Sequence, residues 1–257
     1  MALQVTFLGT GTSHGVPAIG CDCATCRSDD PRDNRLRPSV HLRFDDGFSL
    51  LIDAGPDLRA QALRHNVRRV DAIFFTHGHA DHIVGLDDVR RFNQLQKARI
   101  PCYGDGTTVR DIRTMFSYVF DAGTPKGGGL PLLDLFRVVG PFSLGRHEVT
   151  PVPIFHGSRP ILGVRVGRFA YLTDCSRIPD ESWPLLEGLE VLVLDALREA
   201  PHPTHFTVEE AVEAARRIGA ERTCFTHMAH DLRHAPTCAR LPRGMELAYD
   251  GLVLRCT

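Results

Sequence analysis

The stretch Asp71-Ala72-Ile73-Phe74-Phe75-Thr76-His77-Gly78-His79-Ala80-Asp81-His82 decides how this chain reads. Its opening residues form an apolar run suited to a buried β-strand, so the polar residues that follow fall on a loop at the strand's C-terminal end. His77, His79, Asp81 and His82 place four potential metal ligands within six residues. Imidazole and carboxylate are the donors that borderline divalent ions such as zinc select. On so short a loop, opened by Gly78, four side chains cannot all reach one small ion. The spacing suits two ions, with neighbouring side chains serving different ones.

Working outward, the same pattern recurs. His156 closes an apolar run at 148–155, Asp174 closes 169–173, and His227 follows 223–226. Each alone reads equally well as a turn or cap residue. Together they repeat one device, a strand that delivers a ligand at its C-terminal end. Further runs at 5–8, 40–44, 50–53, 72–75, 163–166, 191–194 and 252–255 are rich in Val, Ile, Leu and Phe and bounded by Gly, Pro or Asp. Helical spacing appears at 57–66 and 207–218, the latter with Thr207 and Glu210 as a capping box and Gly219 beyond its end. Strands interspersed with helices in both halves predict an α/β (α+β) chain: two sheets between helical layers, an αββα sandwich, in a single domain over 1–257. No repeat and no long linker is evident. The Gly-rich segment 121–131 reads as a surface loop, either a plain connector or a flap over the site.

Composition bounds the function. The chain has 257 residues, 43% hydrophobic and 24% charged, with a formal charge of −1. Such a balance lacks the basic field that gathers nucleic acid, so an RNA or DNA partner is not expected. No apolar run approaches the roughly 20 residues of a spanning helix. The first nine residues read as a strand, not a signal peptide, which implies a cytoplasmic setting with reduced thiols. The eight cysteines then need a role other than disulfides. Cys102, Cys175, Cys224, Cys238 and Cys256 are scattered and read as small core residues. Cys21, Cys23 and Cys26 lie within six residues and read as a structural zinc site lacking its fourth ligand. His230, three residues beyond His227, is the best candidate; His234 and His14 are weaker ones.

With these residues in hand, the chain resembles the metallo-β-lactamase superfamily, whose signature is HxHxDH followed by a separate His, an Asp and a final His. The resemblance covers nearly the whole chain and implies an αββα sandwich. It assigns His77, His79 and His156 to one metal and Asp81, His82 and His227 to another, with Asp174 bridging. Asp53 matches a family residue that holds the site from behind the ligands. The segment 8–21 and the CxCxxC cluster look like the cyclic phosphodiesterases of the carbon–phosphorus lyase pathway, which carry a structural zinc on a Cys3His set. A pyrroloquinoline quinone biosynthesis protein shares a related cysteine loop. The segment 204–211 resembles the His-bearing segment of this group and of ribonuclease Z, which implies that His205 contacts phosphate or acts as general acid. Its plain reading is a helix-flanking surface residue. His202 fits no motif.

The resemblance therefore implies two divalent ions, zinc or manganese, at the active site and one structural zinc. Two such ions can share a water and produce hydroxide near neutral pH. The expected activity is hydrolysis of a small phosphodiester, cyclic ones among the candidates, with Asp81 and His205 taking part in the chemistry. Arg90, Arg91, Arg159 and Arg177 lie near motif ends and are candidate phosphate contacts, although each reads more readily as an ordinary solvated arginine. The related enzymes form dimers, and a homodimer is possible here. The rival readings are a lactam or thioester hydrolase, a di-iron oxidoreductase (where the family usually carries Glu at the His79 position), and a non-enzymatic accessory protein. Kinship with ribonuclease Z raises transfer-RNA processing, which the balanced charge and the lack of a long inserted arm argue against.

Overall fold

The strands with no polar face set the architecture. Ser49–Ile52, Ala72–Phe74, Phe169–Leu172 and Val191–Asp195 are buried at every position, so each must be covered on both sides. In the computed structural model, which describes residues 2–125 and 129–257, they occupy the middle of two seven-stranded sheets. The first sheet contains β1 (Leu3–Gly9), β2 (Ser39–Phe44), β3 (Ser49–Ile52), β4 (Ala72–Phe74), β5 (Ile100–Gly104) and β6 (Leu133–Arg137). The second contains β7 (Phe142–Leu144), β8 (His147–His156), β9 (Arg159–Val166), β10 (Phe169–Leu172), β11 (Val191–Asp195), β12 (Arg222–Thr226) and β13 (Met245–Leu247). The last strand, β14 (Val253–Cys256), returns to pair with β1, giving the orders β14-β1-β2-β3-β4-β5-β6 and β13-β12-β11-β10-β9-β8-β7.

Neighbouring residues on a strand feed different layers. Ile52 and Phe74 of the first sheet join Tyr171 and Val193 of the second in a core between the sheets. Leu51 and Ile73 turn outward onto Leu58, Ile83, Phe92 and Ile112 of one helical layer. Ala170, Leu172 and Leu194 turn outward onto Val208, Ala211 and Ala215 of the other. These three cores make the αββα sandwich that the sequence predicts. The helix Val208–Ile218 is capped as expected: Thr207 Oγ1 accepts from the Glu210 N–H, the Glu210 carboxylate accepts from the Thr207 N–H at 2.8 Å, and Gly219 takes φ +70°. Among the described residues no helix is long and apolar enough to cross a membrane.

The sequence shows no repeat, yet the two sheets share one plan. Each is antiparallel through four strands (β14-β1-β2-β3 and β7-β8-β9-β10) and parallel through the next three steps (β3-β4-β5-β6 and β10-β11-β12-β13). The parallel halves matter for function, because they bring several C-terminal strand ends to one place. Strands β5, β6, β7 and β13 were not read from sequence. They are short or interrupted: β5 contains Pro101, β6 carries Asp134 and Arg137, and β6, β7 and β13 lie at sheet edges. In the segment 121–131, residues 126–128 lie outside the described residues, so neither the connector nor the flap reading is resolved there.

The loop after β3 is bound to the turn after β4. The Ala54 N–H donates to the His82 carbonyl at 2.7 Å, and the Gly85 N–H donates to the Ala54 carbonyl at 2.9 Å. A Cβ on Gly55 would lie 2.0 Å from the Asp81 carbonyl oxygen, so only glycine fits this approach. Gly55→Ala is expected to cost about 1–3 kcal/mol and to lower bound metal, measured by urea unfolding and elemental analysis. Gly140→Ala, which has nothing within 4 Å, should stay within about 0.5 kcal/mol of the parent.

Candidate active site

Six strand ends converge on the site, β8 ending in His156 itself. β3 delivers Asp53, β4 delivers the segment Thr76 to His82, β10 delivers Asp174, β11 delivers Asp195, and β12 delivers His227. Asp53, Asp174 and His227 have φ of +61°, +55° and +62°. Residues with a Cβ enter this left-handed region at a cost of order 1 kcal/mol or more each. The chain accepts that cost at the three positions where a strand must turn sharply into the site.

Asp174 lies at the centre. Its carboxylate oxygens stand 3.2 Å from His82 Nε2, 3.2 Å from His227 Nε2 and 3.9 Å from His77 Nε2. Asp81 Oδ2 is 3.3 Å from His82 Nε2 and 3.5 Å from His227 Nε2. These approaches are close but not aligned as hydrogen bonds: Nε2 of His77, His82 and His227 is buried with no hydrogen-bond partner among the described residues. Unaligned donors at this spacing suit a shared cation, since tetrahedral ligands about 2.0–2.1 Å from an ion lie about 3.3 Å apart. The side chains therefore fit divalent metal. One ligand atom from each of Asp81, His82, Asp174 and His227 lies within 4.8 Å of the others, and the same holds for His156, Asp174 and His205. His79 stands beside the group, its ring centroid 4.5 Å from His77 and 5.1 Å from His156.

The opposite ring nitrogens of His77, His82 and His156 are fixed. His82 Nδ1 bonds Asp53 at 2.7 Å, within a fully buried contact. Thr76 Oγ1 donates to Asp53 Oδ2 at 2.9 Å, so toward His77 Nδ1, 3.1 Å away, it can only accept. His156 Nδ1 faces the Thr204 carbonyl at 2.9 Å and must carry the proton there. Each arrangement protonates Nδ1 and leaves Nε2 with a lone pair aimed into the site, the tautomer a metal ligand needs.

Electrostatics agree with this picture. Burial penalises charge on Asp174 and Asp81, yet both stay well below the usual carboxylate range because His227 and His82 stand beside Asp174 and His82 beside Asp81. Reciprocally, and against burial, Asp174 and Asp81 raise His82 well above its ordinary value, while Asp174 leads the groups that raise His227 to about 9. The carboxylates thus draw positive charge onto two imidazoles. A divalent cation would meet the same demand with those rings neutral.

His205 is buried, not a surface residue, at 8% exposure. Its ring stacks on His227 at 4.8 Å and meets His156 edge-on at 4.7 Å. His205 Nδ1 lies 3.1 Å from Asp195 Oδ2, which also accepts from the Phe206 N–H. Burial pushes His205 down to about 4 and Asp195 well above its ordinary value. Asp195 is the residue that sequence reasoning missed. The signal was present in Val191-Leu192-Val193-Leu194-Asp195, another buried strand ending in a carboxylate.

The second cluster forms beside the first. His230 Nδ1 lies 3.1, 3.5 and 3.6 Å from the sulfurs of Cys21, Cys23 and Cys26. For tetrahedral zinc these separations would be about 3.5 Å. Hydrogen bonding, led by the Cys26 N–H, lowers Cys23 to about 6, while burial raises Cys26 to about 11. His234 instead turns to the Leu247 carbonyl at 3.1 Å, and His14 is exposed. The other five cysteines are unpaired and buried, apart from the half-buried Cys238.

Of the four arginine candidates, Arg159 stands by the site, paired with Asp111 at 2.8 Å and close enough to His79 to lower it, after burial and His156. Arg90 pairs with Asp87, Arg91 with Gln94, and Arg177 covers the Phe155 ring at 3.7 Å.

Comparison with known proteins places this geometry. The family described as beta-lactamase superfamily domain matches residues 49–228. A crystal structure described as a new diphosphatase from the PhnP family is 48% identical, covers 100% of this chain and 98% of its own, and superposes with a TM-score of 0.93. A protein of Porphyromonas gingivalis named octanoyltransferase is 37% identical over 97% of this chain, but the chain spans only 51% of its length. Ribonuclease Z of Anoxybacillus flavithermus is 24% identical over 88% of this chain and 87% of its own. With both sheets, the strand-end ligand set and the family match in agreement, the chain belongs to the metallo-β-lactamase superfamily and resembles the PhnP group along its whole length.

Proposed function

We propose that this protein is a dinuclear phosphohydrolase that cleaves a phosphodiester-type bond in a small molecule. The observation that carries the proposal is the double membership of Asp174, whose carboxylate belongs to two donor clusters at once. In this reading His77, His79 and His156 hold one ion, Asp81, His82 and His227 hold the other, and Asp174 lies between them. When bound, such a pair supplies Lewis acidity and counter-charge for a phosphoryl group and makes water acidic enough to attack near neutral pH. Cys21, Cys23, Cys26 and His230 hold a structural zinc that ties the N-terminal loop to the loop after His227.

The remaining chemistry belongs to the chain's own side chains. Hydrolysis joins a water oxygen to phosphorus, breaks the P–O bond to the leaving group and requires a proton at the departing oxygen. The Asp195–His205 pair is built to deliver it. Burial favours a neutral His205 and a protonated Asp195. His205 Nε2–H then gives its proton to the leaving oxygen while the Asp195 proton moves across the 3.1 Å contact to Nδ1. Asp53 and Thr76, together with the Thr204 carbonyl, hold three imidazoles in place and touch no substrate.

Phosphate is favoured over lactam or thioester by this proton donor and by the similarity to a diphosphatase along the whole chain. The formal charge of −1 favours a small anion over RNA. A panel of a cyclic phosphodiester, bis-p-nitrophenyl phosphate, a dialkyl diphosphate, a β-lactam and a glutathione thioester, run with elemental analysis, tests the reading. Turnover confined to the thioester or the lactam would overturn it.

Asp174→Ala should abolish turnover and lower the metal content; full activity with lost metal would refute the scheme. His205→Ala and Asp195→Asn should each cut kcat by about 10²-fold or more, with His205→Ala keeping its metals and losing most on poor leaving groups. Cys23→Ser should remove one zinc per chain and lower the melting temperature, measured by elemental analysis and calorimetry.

A further inference from the structure

Four imidazoles form a file leading out of the site. Ring centroids are 5.1 Å apart from His79 to His156, 4.7 Å from His156 to His205 and 5.0 Å from His205 to His202. His202 is the outermost, half-exposed where His205 is buried. The reading above gives it no task.

Its position is built, not incidental. His202 stands between Pro201 and Pro203, whose fixed φ angles remove backbone freedom on both sides. Arg198 holds this segment by donating to the carbonyls of Ala200 and Pro201 at 3.1 and 3.0 Å. Thr204 packs where Gly157 leaves room, its Cγ2 being 2.8 Å from the place a Cβ would take. The same Thr204 carries the carbonyl that fixes His156. His202 is therefore coupled to a residue of the metal cradle through one turn of chain.

The tautomer is also set. His202 Nδ1 accepts from the Thr204 N–H at 3.4 Å and lies 3.2 Å from Thr204 Oγ1. A backbone N–H can only donate, so the ring proton sits on Nε2. The outer ring thus offers an N–H donor with its centroid 5.0 Å from that of His205, the residue that meets the leaving oxygen in the reading above.

We infer that His202 is a specificity-determining residue that donates from Nε2 to an oxygen anion carried by the leaving group itself. This rests on the phosphohydrolase reading and narrows its substrate class. A leaving group with an oxyanion next to the scissile bond is a phosphate, so the preferred bond is the P–O–P linkage of a diphosphate diester. An aryl or alkyl leaving group gives His202 nothing to hold.

The test compares a dialkyl diphosphate with bis-p-nitrophenyl phosphate on the metal-loaded enzyme. His202→Ala should lower the ratio of their kcat/KM values by tenfold or more, mainly through a higher KM for the diphosphate. His202→Gln, whose amide nitrogen reaches the Nε2 position, should restore most of the ratio. Elemental analysis of both variants should match the parent. An equal fractional loss on both substrates, or an unchanged ratio, would overturn the assignment while leaving the phosphohydrolase reading intact. A parent enzyme inactive on both would overturn both.

Discussion

Four carboxylates carried out of water are the constraint on which the rest of this structure turns. Asp53, Asp174 and Asp195 are buried, and Asp81 nearly so. A group so placed costs several kcal/mol when charged unless it is paired or holds a metal, and burial pushes Asp195 toward keeping its proton instead. The fold answers with imidazoles, and sets three of them with Nε2 free of any hydrogen bond among the described residues. That combination is poor as a salt-bridge network, because the nitrogens and oxygens meet at 3.2–3.9 Å without alignment. It is good as a cradle for cations. The left-handed backbone at Asp53, Asp174 and His227 follows from the same demand, since the strand ends must turn sharply to bring their side chains together.

A cradle assembled from two sheets must be kept from drifting apart, and the chain does this at its edges. The Met228 N–H donates to the Thr10 carbonyl and the Thr12 N–H to the Met228 carbonyl, joining the loop after β1 to the loop after His227. Arg35, wholly buried beside Asp33, donates to the carbonyls of Ala229 and Leu232. Asp33 in turn accepts from the His234 N–H at 2.7 Å. The cysteine cluster reaches His230 from the same N-terminal side. His227 thus lies in a loop held from several directions, which suits a ligand whose displacement by even an ångström would spoil the cradle.

Much of this was legible in the sequence because chemistry and periodicity agreed. The file His77, His79, Asp81, His82 after an apolar strand announced both the loop and its ligands, and the capping residues of Val208–Ile218 announced that helix. Central strands were readable because they are apolar throughout. The edge strands β6 and β13 were not, since they mix charged residues into short runs whose pattern makes sense only beside a neighbour. Asp195 escaped for a related reason. A carboxylate at the end of a strand looks like a turn residue until its partner, His205, ten positions later, is folded back onto it at 3.1 Å. The shared plan of the two sheets was invisible because it lies in pairing and direction, not in matching residues.

The site is also lopsided. His77, His82 and His227 are buried, whereas His79, His156 and His202 are half-exposed along one side. Arg159 stands at the His79 end of that side, its guanidinium steadied by Asp111. An anion arriving there meets a positive charge at one end and an imidazole donor at the other, with the ligand nitrogens between them. The enclosed side holds Asp53 and Asp195, the two carboxyl groups bonded to His82 and His205. In the proposed reaction, substrate recognition and proton supply would therefore be separated across the ligand set: the half-exposed rim of His79, His156 and His202 could vary to suit different leaving groups, while the buried pair His205 and Asp195 would have to stay fixed for any of them to leave.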